Sequence, residues 1–235
     1  MKIIIHVGLH KTGTTFFQNQ IFNNVPNAKL IRRTNFTNQL QKNKMNIISS
    51  EALSGAPYIR SDAKIRFTIA DRLKSDFPDA RIIIGIRGEK SWLKSLYSQF
   101  IRNGGFYDFD SWLEKVVDKD YLDQDSYIKY LKSLFCNVYV FKFEDFCKNK
   151  KEVITEMCKF MEVDFIDYQD IKYNTKLSKN RLNIIKYLNR IWISNWNPNG
   201  VLPKKRFFNP EFFGELFDLK RILYEGKDIS IKEKK

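Results

Sequence analysis

The densest concentration of chemistry in the chain is Gly8-Leu9-His10-Lys11-Thr12-Gly13-Thr14-Thr15, with two glycines, one lysine and three threonines in eight residues. It follows Lys2-Ile3-Ile4-Ile5-His6-Val7, a short apolar run that predicts a buried strand, and it opens a helix predicted over 14–24. In that setting the loop and helix-start N–H groups converge on one point, where the helix dipole favours an anion. Glycines let backbone approach a ligand closely, and Thr12, Thr14 and Thr15 add hydroxyl donors. The chemistry implied is the binding of a phosphate or a group like it. The plain alternative is an ordinary strand-to-helix turn.

Gly8 and Gly13 form the Gly-x-x-x-x-Gly frame of a Walker loop, with a departure. A Walker loop places lysine directly after the second glycine, whereas here Thr14 stands there and Lys11 comes two residues before Gly13. An ATP–Mg enzyme would lack its phosphate-bridging lysine. The order Lys11-Thr12-Gly13-Thr14-Thr15 instead resembles the 5′-phosphosulfate loop of sulfotransferases that use 3′-phosphoadenosine 5′-phosphosulfate (PAPS). His10 stands where that family commonly has proline.

The resemblance implies a second site, for the 3′-phosphate: an arginine ending a strand and a serine eight residues on. Arg87 ends Arg81-Ile82-Ile83-Ile84-Gly85-Ile86, and Ser95 is the eighth residue after it. A guanidinium offers a charged fork to phosphate and a hydroxyl completes its bonding. Gly88-Glu89 departs from the usual Asp-Pro. Tyr139-Val140-Phe141-Lys142-Phe143-Glu144-Asp145-Phe146 resembles the family's late strand and acidic pair, with Asp145 expected to cap the next helix. Asn174-Thr175-Lys176-Leu177-Ser178 resembles a segment before its C-terminal helix. The likeness spans about residues 2–190.

From the resemblance follows an activity: in-line transfer of a sulfuryl group from PAPS to an acceptor hydroxyl, leaving adenosine 3′,5′-bisphosphate (PAP). Lys11 is placed to stabilise charge on the leaving oxygen, with no metal required. The acceptor hydroxyl needs a general base. Glu51, just after the apolar run Asn46–Ser49, is the first candidate. Its plain alternative is a carboxylate serving a helix dipole. His10 is the reserve candidate, and His6 is expected to be packed in its strand. Arg102-Asn103-Gly104-Gly105 ends the helix that carries Ser95 and is expected to be a glycine loop bordering the acceptor. Lys204-Lys205-Arg206, beside Phe207 and Phe208, matches the family's basic C-terminal loop by composition only.

Strands are expected at 2–7, 46–49, 81–86 and 137–142, with helices between them at 14–24, 62–75, 90–102, 109–118, 126–134 and 150–161. A further helix is expected at 178–193 and a short one near 211–223. Alternating strands and helices predict right-handed crossovers and a three-layer α/β/α fold with a central parallel sheet, of the P-loop nucleotide-kinase kind. Ligands bind beyond the carboxyl ends of such strands, where Lys11, Glu51 and Arg87 all lie. One domain over 1–235 is expected, with 195–235 an aromatic and basic extension of it.

The chain has 235 residues, 43% of them hydrophobic, which suffices for a core. Its mean hydropathy is −0.43, and no apolar run approaches a membrane span. Cys136, Cys147 and Cys158 are odd in number and not spaced for metal, so reduced thiols in a cytoplasmic protein are expected. With only His6 and His10 as histidines, a zinc site or Ser-His-Asp triad is poorly supplied. The net charge of +14 favours anionic partners and hints at an acidic glycan acceptor. Two rivals remain open: a P-loop kinase or NTPase, and a non-enzymatic binder of nucleic acid or another polyanion. The Thr14 substitution argues against the first, and no nucleic-acid motif supports the second.

Overall fold

The computed structural model describes residues 1–32, 39–55, 63–171 and 177–202. Five strands form one sheet: β1 Ile3–Val7, β2 Ala28–Ile31, β3 Met45–Ser50, β4 Arg81–Ile86 and β5 Val138–Lys142. Their order is β2-β3-β1-β4-β5, and every neighbouring pair is parallel. The helices are α1 Thr14–Phe16, α2 Ile65–Asp76, α3 Glu89–Arg102, α4 Phe109–Lys115, α5 Gln124–Leu134, α6 Phe143–Lys148, α7 Lys150–Met161 and α8 Lys179–Asn189. The α/β architecture expected from the sequence is the one observed.

Alternation along each strand builds two cores. Ile4, Ile47, Ile83 and Phe141 turn to one face, where Phe17 and Phe22 after α1, Phe146 of α6, and Ile154 and Met157 of α7 cover them. Ile5, Ile48, Ile82 and Ile84 turn to the other face and are equally buried. Isoleucine runs buried on both faces are what a parallel sheet between helical layers demands. The chain leaves β1 for one side of the sheet and leaves β4 for the other. A crevice therefore opens beyond the carboxyl ends of these two adjacent strands.

Three details differ from the sequence-based expectation. β2 is an additional edge strand, with a half-exposed pattern and no long apolar run to announce it. The helix expected over 14–24 is helical throughout but irregular: α1 passes into a π-turn over Phe17–Ile21 and a tight turn over Phe22–Asn24. Phe17, Ile21 and Phe22 face inward as expected. Glu144 and Asp145 lie inside α6 rather than before a helix, and Asn149 is the residue that precedes α7. The helix expected near 211–223, Asn174-Thr175-Lys176 and Lys204-Lys205-Arg206 lie outside the described residues.

Two compact units are distinguished. Among the described residues, the first comprises those within 1–96 and 113–171, the second those within 97–112 and 177–202. In the second unit Asn189 is buried and donates to the carbonyls of Ile101 and Gly105, both at 2.8 Å. Gly104, at φ +97°, ends α3. Phe100 packs edge-on against Trp196 at 4.9 Å.

His6 is fully buried in β1 of the first unit, packed between Phe17 and Phe22, with Nδ1 2.8 Å from Ser49 Oγ. Burial lowers its pKa to about 3. The folded chain thus resists a proton that the unfolded chain accepts near pH 6.5, so His6 stabilises the fold above that pH and less below it. Between pH 6.5 and 5, wild-type unfolding free energy should fall relative to His6→Gln, with a slope rising to ~1.4 kcal/mol per pH unit at the acid end. Urea denaturation across that range measures the difference, and parallel pH profiles would contradict it.

Candidate functional site

The loop after β1 is shaped by two consecutive requirements for a left-handed backbone. Lys11 has φ +68° and Gly13 has φ +92°. Between them Thr12 is buried, and its hydroxyl donates to the Leu9 carbonyl at 2.6 Å. The Thr12 hydroxyl therefore closes the loop, and what Thr12 offers a ligand is backbone. Gly13 begins the helical run with no side chain capping it, which leaves the first N–H groups without a side-chain partner. A Cβ on Gly8 would lie 2.5 Å from Thr14 Oγ1, so only glycine lets Thr14 pack here. The Thr14 hydroxyl is buried and has no hydrogen-bond partner of normal geometry among the described residues. Thr15 is half-buried beside it.

Arg87 crosses from the end of β4 to this loop. Its Nη1 donates to the Lys11 carbonyl at 2.8 Å and its Nε to Ser91 Oγ at 2.9 Å. Its guanidinium stacks 4.5 Å above the Phe143 ring. Burial lowers its pKa, and Glu144 and Cys147 counter that shift. Two of its five N–H groups are committed to these bonds, so others remain for an anion. Ser95, the residue indicated by spacing, is half-buried one turn beyond Ser91 and takes no part in the network.

Glu144 of the acidic pair and three residues that the sequence did not single out, Ser91, Gln124 and Trp92, complete this arrangement. Ser91 links Arg87 to Glu144, donating to its carboxylate at 2.9 Å. Glu144 also accepts from the Gly88 N–H at 3.2 Å. Burial opposes its charge, but Ser91, Gly88 and Arg87 outweigh burial and hold its pKa below the ordinary range. Gln124 accepts from the Arg87 N–H at 3.0 Å and donates to its carbonyl at 2.8 Å. Trp92 Nε1 donates to the His10 carbonyl at 2.7 Å. Only Ser91, one helical turn after Arg87, had a spacing that would have flagged it.

Glu51 opens a tight turn over Glu51–Ser54 at the carboxyl end of β3. Ser54 Oγ donates to the Gly8 carbonyl at 2.9 Å and so fastens this turn to the β1 loop. Burial raises the Glu51 pKa, while Lys11 and the Thr14 hydroxyl pull the other way. His10 Nε2 lies 3.8 Å from the Glu51 carboxylate, too far for a hydrogen bond. Burial, then the Lys11 charge, lower the His10 pKa to about 4, so this contact is no ion pair at neutral pH. The His10 side chain is 7% exposed and that of Glu51 38%. Lys11, Glu51, Thr14 and Arg87 are thus brought together at one edge of the sheet. Among the described residues no group of three or more His, Cys, Asp or Glu is arranged to hold a metal, and no helix is long and apolar enough to cross a membrane.

No protein-family model matches the chain, and no curated protein matches it in sequence. Solved structures match it in fold, two sulfotransferases among them. A sulfotransferase from Alicyclobacillus acidocaldarius superposes with a TM-score of 0.52 at 14% identity, over 75% of this chain and 87% of its own. The mouse sulfotransferase SULT7A1, complexed with PAP, superposes with a TM-score of 0.49 at 15% identity, over 71% of this chain and 60% of its own. At such identities the likeness is one of fold.

The left-handed backbone at Lys11 gives a direct check on the loop. A non-glycine residue there costs about 1 kcal/mol that glycine avoids. Lys11→Gly should therefore be about 1 kcal/mol more stable than Lys11→Ala, although both lose the same charge. Thermal or urea unfolding of the two variants measures this. A less stable Lys11→Gly would contradict the loop geometry.

Proposed function

We propose that the chain is a sulfotransferase that moves a sulfuryl group from PAPS to an acceptor hydroxyl on a carbohydrate and releases PAP. The observation that carries this reading is the hydrogen bond from Arg87 to the Lys11 carbonyl at 2.8 Å. It brings the loop we read as the 5′-phosphate cradle beside the arginine we read as the 3′-phosphate ligand. The fold shared with a solved sulfotransferase supports the reading at the level of architecture. The loop also fits the donor. Gly13 takes the left-handed backbone that opens the helical run without a side-chain cap, so its first N–H groups carry no side-chain partner.

PAPS would supply the activated sulfuryl group. The N–H groups of Gly13, Thr14 and Thr15 would hold its 5′-phosphosulfate, and Lys11 would stabilise charge on the leaving oxygen. Arg87 would bind the 3′-phosphate through its uncommitted N–H groups, with Ser95 adding a hydroxyl. Glu51 is the better-placed general base. Its side chain reaches solvent, whereas that of His10 is nearly enclosed. A raised pKa also makes Glu51 a stronger base than an ordinary carboxylate. The net charge of +14 favours an acidic glycan as acceptor. The three cysteines are free thiols, which suits work in the cytoplasm.

The test is PAP release from PAPS in the presence of a panel of acidic polysaccharides. Wild-type protein should release PAP in an acceptor-dependent manner. Glu51→Gln should lower kcat by roughly 10²–10⁴ while donor KM holds. Lys11→Ala should lower kcat by about 10²–10³. Undiminished turnover in Glu51→Gln would move the base to His10. Phosphoryl transfer from ATP–Mg in place of sulfuryl transfer would overturn the reading. So would polyanion binding that weakens steeply with salt and carries no turnover.

A further inference from the structure

The segment from Asp118 to Gln124 touches the Glu51 turn, Trp92 and the Arg87 main chain. Tyr121 donates its hydroxyl to the Ser54 carbonyl, in the turn that Glu51 opens. The Trp92 ring stacks on Tyr121 at 6.0 Å, and the indole of Trp92 holds the His10 carbonyl. Gln124 grips the Arg87 main chain from both sides. The Glu51 turn, the His10 stretch of the β1 loop and Arg87 therefore share one brace.

The tight turn over Lys119–Leu122 is closed by the Tyr121 N–H on the Asp118 carbonyl at 3.1 Å and by the Asp118 carboxylate, which accepts from the Asp120 N–H at 3.1 Å. A second hold comes from α2. Arg66, 1% exposed, donates Nη1 to the Tyr121 carbonyl at 2.9 Å and Nη2 to the carbonyls of Asp120 at 3.0 Å and Asp123 at 2.9 Å. Its guanidinium also packs on the rings of Phe67, Tyr121 and Tyr127, between 4.8 and 5.1 Å from their centres. It makes no ion pair among the described residues. A charge buried in this way is costly unless its geometry is needed, and a planar fork reaching three carbonyls is something lysine cannot reproduce.

We propose that Arg66 is a positioning residue for the site: by fixing the 118–124 segment it sets both the Glu51 turn, through Tyr121, and the Arg87 backbone, through Gln124. Only the functional consequence rests on the sulfotransferase reading. The bracing stands on the hydrogen bonds alone.

Hydrogen–deuterium exchange on the full chain tests it, with peptides covering 51–55, 86–91, β1 and β4. Gln124→Ala should speed exchange about fivefold over 86–91 and leave 51–55 unchanged, as expected for one lost hydrogen bond. Tyr121→Phe should do the reverse. Arg66→Lys, which keeps the charge and loses the fork, should speed both while β1 and β4 stay protected. Wild-type exchange at both loops in Arg66→Lys, or an increase shared equally by β1 and β4, would overturn the proposal. If Arg66→Lys does not fold, the two relay variants decide, and unchanged loops in both would overturn it. Titration with PAP on the same samples keeps the two readings apart. A wild-type protein that ignores PAP contradicts the sulfotransferase reading, while the exchange pattern still tests the brace.

Discussion

The hydrogen bond from Arg87 Nη1 to the Lys11 carbonyl joins two loops that are 76 residues apart in sequence. The rest of the site depends on it, because neither loop makes a site alone. The β1 loop has N–H groups and a lysine but one open side. Arg87 by itself is a strand-end cation. The parallel sheet sets β1 and β4 next to each other and aims their carboxyl ends the same way. The left-handed turn at Lys11 then points its carbonyl at the guanidinium. Stacking on Phe143 and the grip of Gln124 keep Arg87 from swinging away. The positive φ at Lys11 is thus a local cost that the cross-loop bond offsets.

Charge in the crevice is balanced by two carboxylates in unlike surroundings. Glu144 sits on the Gly88 N–H, the Ser91 hydroxyl and the Arg87 charge, and is held ionised. Glu51 is drawn toward its ionised form by Lys11 and Thr14, yet burial prevails and raises its pKa. One group is held ionised and the other is pushed toward its neutral form. Two carboxylates whose pKa values are pushed apart is the arrangement expected where one does chemistry and the other holds a cation in place. His10, kept neutral by burial and by Lys11, adds no competing charge.

The parts of this account that were legible in the sequence are those whose signal is local. Gly8 to Thr15 reads as a loop because glycine, lysine and threonine spacing sits between a buried strand and a helix. The isoleucine runs of β1 and β4 announce strands buried on both faces. β2 was missed because Ala28–Ile31 is an edge strand with one fully buried residue, so it carries neither an apolar run nor a clean alternation. The irregular helix after Thr14 was missed because π and tight turns follow from packing rather than from residue preference. Tyr121, Gln124 and Arg66 were illegible for a different reason. Their partners are backbone atoms far along the chain, and no residue type marks a carbonyl as a partner. Glu144 was visible as half of an acidic pair, but its bond to Gly88 exists only once β4 and β5 are paired.

The central claim is that the two joined loops form a cradle for a nucleotide carrying both a 5′- and a 3′-phosphate. Calorimetric titration with PAP, beside ADP and ATP–Mg, tests it most directly. The account predicts micromolar or tighter binding of PAP, clearly weaker binding of ADP, and loss of that preference in Arg87→Ala. A preference for ATP–Mg, or no nucleotide binding at all, would contradict it.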